Sequence, residues 1–224
     1  MTEASYIFLA GASRGVGREI AKCLVKQNQK VKAMLRKDAS RPELEAMGVQ
    51  VAIADALDPA LVEQAMMGEP IDAVITTIGG VPQEGQRADY LGNKNLIDAA
   101  VKAGVKKFIL VTSIGTGNSV VALPPQALET LRAVLVEKDQ AEQHLIGSGL
   151  TYTIIRPGGL KSQPATGNGV LTEDPKVAGI IHRADVAQLV CRCLFSDAAN
   201  NKVLSAIDRN MLFGMPEFEE FILN

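Results

Sequence analysis

Aromatic side chains are scarce, at 4% of 224 residues against 47% hydrophobic overall. The core must then be aliphatic, which suits buried parallel strands better than an all-β sandwich. Histidine occurs twice, and the three cysteines, Cys23, Cys191 and Cys193, follow no metal-ligand spacing. Cys191 and Cys193 stand two apart on an expected helix and point to different faces. No zinc site is expected, and the thiols read as reduced and structural. A charge excess is lacking too: the net charge is −2, with both signs interspersed. Without a basic stripe to track phosphates, nucleic acid is not an expected partner. No apolar run reaches membrane-spanning length, and the first residues, Met1-Thr2-Glu3-Ala4-Ser5, lack the basic start of a secretory signal. The expectation is a cytoplasmic protein without a membrane partner.

What is present is alternation. Apolar strand-length runs at 6–10, 31–35, 49–53, 73–78, 107–112, 151–155 and 203–207 are separated by helical patterns. The helices are expected at 15–27, 42–47, after an Asp58 N-cap, and at 85–103, 128–146, 184–195 and 217–222. This predicts one α/β domain over 1–224, with a doubly wound parallel sheet. Residues 113–125 form a loop longer than a plain connection needs. Residues 160–179 read as irregular, and 157–182 as a small substrate lobe, since ligands sit beyond the carboxyl ends of such strands.

The strongest local signal is Gly11-Ala12-Ser13-Arg14-Gly15-Val16-Gly17, between the first strand and the first helix. Gly11 turns the chain out of the strand, Gly15 admits a pyrophosphate against the backbone, and Gly17 lets the helix pack close. The helix N-terminus then offers N–H groups to the anion. At the tip of strand two stands Arg36 rather than an acid, with Arg41 beyond it and Arg14 in the loop. Guanidinium groups suit a 2′-phosphate, so NADP(H) is the expected cofactor. Asp55 and Ala56 are placed at the adenine, Thr77-Ile78-Gly79-Gly80 at the ribose and nicotinamide. Thr112, Ser113, Lys138 and Pro157-Gly158-Gly159 complete the expected contacts, with Ser113 and Lys138 as the residues nearest the chemistry. Arg156 and Asp185 read as structural.

The chain resembles the atypical short-chain dehydrogenases/reductases, in the branch of NAD(P)H-binding, NmrA-like and biliverdin-IXβ/flavin reductase proteins. Besides the glycine loop, the likeness rests on Tyr90-x-x-Asn93, Val111-Thr112-Ser113, Lys138-x-x-Ala141-Glu142, Tyr152-Thr153-Ile154-Ile155-Arg156-Pro157-Gly158, Gln163-Pro164-Ala165-Thr166-Gly167 and Arg183-Ala184-Asp185-Val186-Ala187. The superfamily's Tyr-x-x-x-Lys is broken: Val134 stands four residues before Lys138 and cannot donate a proton. The resemblance therefore implies reduction of a planar conjugated acceptor, such as a flavin as substrate, a bilin or a quinone. Such acceptors mainly need to be stacked correctly. The branch's substrate-pocket histidine is replaced near Gly159, and His182 lies too far along the chain to take its place. A non-enzymatic NADP(H) sensor is the rival reading, and a sugar-nucleotide epimerase a weaker third. The partner is a small molecule, and the chain is expected as a monomer or a weak homodimer through helices 85–103 and 128–146.

Overall fold

The computed structural model describes residues 5–79, 86–214 and 217–223. In chain order it forms β1 (Tyr6–Ala10), α1 (Gly15–Lys26), β2 (Val31–Leu35), α2 (Arg41–Ala46), β3 (Gln50–Ile53), α3 (Pro59–Met66), β4 (Ile71–Thr76), α4 (Leu91–Lys102) and β5 (Lys107–Val111). There follow α5 (Pro125–Ile146), β6 (Thr151–Pro157), β7 (Gly159–Lys161), β8 (Gly169–Thr172), β9 (Ile180–His182), α6 (Arg183–Leu194) and β10 (Lys202–Asp208).

The main sheet has the order β3-β2-β1-β4-β5-β6-β10-β8. Every neighbouring pair is parallel except β8 on β10. The order reverses at β1, between β2 and β4, and the crevice beyond their carboxyl ends is where such sheets take ligands. Two aliphatic layers sandwich the sheet. On one face α1 lays Val16, Ile20 and Leu24 beside Val186 and Val190 of α6. On the other, Val62 of α3, Leu96 of α4 and Leu145 of α5 cover Phe8, Val74 and Phe108. The helix starts obey local chemistry: Asp58 accepts the N–H groups of Ala60 (2.9 Å) and Leu61 (3.2 Å), and Pro59 takes the first position, where no N–H is needed. No helix among the described residues is long and apolar enough to cross a membrane.

Three expectations need correction. The helix expected over 85–103 begins at Leu91; Gly80 and Gly85 lie outside the described residues. The Tyr90 amide bonds to the Glu137 carboxylate (3.4 Å), a tertiary contact, and the Asp89 carbonyl takes the Asn93 side chain (Nδ2, 2.7 Å). The stretch 160–179 is not irregular throughout. It contains β8, whose Val170 and Leu171 are buried, and the end of β7, which pairs with β9. Finally, 217–222 is not a helix. It runs along β8, with Phe221 N donating to Leu171 O (2.7 Å) and Thr172 Oγ1 to Glu219 O (2.8 Å). So short a helix is marginal alone, and the open edge of β8 offers ready partners.

Candidate cofactor and reaction site

The glycine loop joins β1 to α1 as the sequence requires. Gly11 has φ +96°, and a side chain on it would press on Thr77 Oγ1 at 2.5 Å. A Cβ on Gly17 would collide with the Gly11 carbonyl, so α1 lies closer to the loop than any other residue allows. The N-cap residue of α1, Arg14, supplies no side-chain acceptor. The first-turn N–H groups are thus donors for an anion in a cradle that a Cβ would fill, and the residues present fit a dinucleotide diphosphate. Ser13 and Arg14 are exposed, and Val16 is buried beneath them. Arg18 locks the loop from behind. Its Nε donates to Ala12 O (3.0 Å), its Nη2 to Ser13 O (2.9 Å), and Nη1 pairs with Glu43. Sequence reasoning missed Arg18; its one signal was a position one turn into the helix.

At the tip of β2, Arg36 is exposed. Arg41 sits apart in its bonding, held by Asp38 and by Glu45 (3.2 Å). Asp55 makes a local turn, accepting Leu57 N at 3.0 Å. Ala56 beside it is buried, and its carbonyl accepts from Asn95 Nδ2 (2.9 Å).

A cluster of charged side chains lies beyond the end of β4. Asp89 is fully buried, and Lys138 reaches it from α5, with Nζ 3.3 Å from Oδ1. Arg87 lies 3.4 Å from the other carboxylate oxygen and 3.5 Å from Glu137. Gly79 (φ +143°) lies directly over the pair: a Cβ there would strike Asp89 Oδ1 and stand 3.3 Å from Lys138 Nζ. Thr76 Oγ1 bonds Asn93 Oδ1 (2.8 Å), bracing this end of the strand from below. Thr77 and Ile78 are half-buried. Beyond β5, Ser113 is half-buried, and its hydroxyl makes no hydrogen bond among the described residues. Thr112 differs: its hydroxyl turns inward to Glu142 (2.6 Å). Val134, one turn before Lys138, is partly buried and brings no proton to this place.

After β6 the backbone is tightly pinned. The Pro157 carbonyl accepts Ile114 N, Gly158 N donates to Ala206 O, and Gly159 N to Gly179 O, each at 2.9 Å. His182 is buried, with Nδ1 2.7 Å from Pro164 O and Nε2 unpartnered among the described residues; the fold thus brings it to the Gln163-Pro164 stretch despite the distance in sequence. Arg156 and Asp185 do not meet. Arg156 grips Glu142 with two bonds of 3.1 and 2.6 Å, while Asp185 accepts the amides of Thr166 and Gly167, both at 2.9 Å.

The comparisons agree with this geometry. Residues 11–197 match the NAD(P)H-binding family. Among solved structures, the anaerobilin reductase ChuY of Escherichia coli O157:H7 is 34% identical, with TM-score 0.83 over 91% of this chain and 97% of that one. The uncharacterized sugar epimerase YhfK of Bacillus subtilis is 34% identical, over 88% of this chain and 91% of its own. Sanguinarine reductase of Eschscholzia californica is 31% identical, over 88% and 86%. The chain belongs to the NAD(P)H-binding family, within the atypical short-chain dehydrogenase/reductase oxidoreductases.

Proposed function

We propose that the protein is an NADPH-dependent reductase of a planar conjugated acceptor, a flavin foremost and a bilin or quinone by the same geometry, working without a tyrosine acid. The observation that carries this reading is the Lys138–Asp89 pair beneath Gly79, with valine where the proton donor would stand. The dinucleotide, when bound, supplies the hydride. Lys138 holds the nicotinamide ribose, and the buried Asp89 keeps its ammonium in place. The unengaged Ser113 hydroxyl bonds the nicotinamide or the acceptor. The segment 158–169 covers the acceptor, and water supplies the proton. Arg14 and Arg36 give the preference for the 2′-phosphate. ChuY and the Eschscholzia relative are both reductases by name, which supports the class.

The test is NADPH oxidation by the purified protein with FMN, FAD, biliverdins and quinones, with NADH in parallel. Lys138→Met should lower kcat/KM about 10- to 100-fold, the range of one lost charge-assisted hydrogen bond. NADPH binding with no turnover of any acceptor would sink the reductase reading in favour of a sensor.

A further inference from the structure

Beside the glycine loop, a cavity of about 340 Å³ opens between the start of α1 and the segment after β7. Arg18, Glu19 and Arg183 are its charged walls. Arg18 is engaged by Ala12, Ser13 and Glu43, and Glu19 is paired with Lys22 at 2.8 Å. Arg183 is different. Its Nη1 donates to Leu160 O (3.3 Å) and Ser162 Oγ (2.7 Å), while Nε and Nη2 have no acceptor among the described residues. That free edge faces the loop: a Cβ built on Gly15 would stand 3.7 Å from Arg183 Nε. One side of the guanidinium is therefore fastened to the acceptor-side segment, and the other is presented at the cofactor loop.

We infer that Arg183 is a positioning residue that grips the diphosphate of the dinucleotide and thereby fastens the segment Leu160–Ser162 over the acceptor place. A guanidinium offers two parallel N–H groups to phosphate oxygens. The first turn of α1 draws the same anion from the opposite side, and Gly15 leaves room between them. The inference rests on the dinucleotide reading of the glycine loop, but not on the identity of the acceptor.

Calorimetry with NADPH and with adenosine 2′-monophosphate tests it, because the second ligand keeps the 2′-phosphate and lacks the diphosphate. Arg183→Met should weaken NADPH about tenfold and leave adenosine 2′-monophosphate within twofold, which also shows that the fold is intact. Arg183→Lys should fall between Met and wild type. Ser162→Ala, which keeps the guanidinium, should leave NADPH affinity within twofold. Unchanged NADPH affinity in Arg183→Met overturns the inference, as does an equal loss for both ligands. Because the readout is binding, a wild-type protein that binds NADPH yet reduces nothing removes the reductase reading and leaves this one standing; a wild type that does not bind NADPH removes both.

Discussion

Gly15 and Gly17 look alike in the sequence and differ in what holds them. Gly17 is fixed by closeness, since an added Cβ meets the backbone carbonyl of Gly11. Gly15 has space around it, and its constraint is φ +60°. Gly15→Ala should then cost about 1–2 kcal/mol, the penalty of the left-handed region for an L-residue. Gly17→Ala should cost more, because the loop itself must move; both changes should weaken NADPH, and thermal melts without ligand separate their costs. The cysteines differ in the same manner. Cys23 is half-buried, and its thiol is lowered to about 7: the hydrogen bond from Cys191 outweighs burial, and the charge of Lys26 adds to it. Cys191, the donor, is pushed up by that bond and by burial, and burial pushes Cys193 up to about 12. Since the thiolate is the nucleophile, alkylation of the native protein should label Cys23 alone, with a rate that rises as pH passes through about 7. Earlier labelling of Cys191 or Cys193, found by peptide mass spectrometry, would refute that ordering.

Among the elements, α5 is joined to the sheet by a buried ion pair rather than by apolar packing alone. Glu142 is fully buried and bonds Thr112 of the β5 end and Arg156 of β6, while Arg156 also reaches Asn118 at 2.5 Å. Removing one partner leaves the other charge buried, which costs about 3–5 kcal/mol. Glu142→Ala should lower the urea midpoint accordingly, and the paired change Glu142→Leu with Arg156→Met should restore much of it; equal loss in both would show that the pair itself is required. The sequence marked Arg156 as structural without naming its partner, because the bonded residues lie 14 and 30 positions apart. Elements with a strong local period were legible: β1 and β2 fall where the apolar runs put them, and Asp58 caps α3 as its residue type suggests. What was not legible depends on an edge. β8 and the chain at 217–223 take their shape from β10 and from each other, and no period within six residues encodes a neighbour. The candidate site divides similarly. The glycine loop was readable because a single segment builds it, whereas the settings of Asp89 and Arg183 appear only once distant segments meet.

For the molecule as a whole, the reversal of strand order at β1 places the glycine loop, the tip of β2 and the end of β4 along one crevice. A ligand there touches several elements at once, so its binding free energy adds to the stability of the entire fold. At a concentration 100 times its Kd, a ligand bound only by the native state stabilises it by about 2.7 kcal/mol. For a domain of this size that is a rise in Tm of about 5–10 °C. On the proposed reading, NADPH reaches this rise at lower concentration than NADH, because Arg14 and Arg36 stand exposed where the 2′-phosphate would lie. Arg41, already engaged by Asp38 and Glu45, should contribute less. Arg36→Ala should therefore shrink the gap between the two dinucleotides, and Arg41→Ala should change it little. The gap should also narrow with added salt, since exposed charge pairs are screened. Equal shifts from NADPH and NADH in the wild type would refute the 2′-phosphate assignment while leaving the glycine loop as a dinucleotide site.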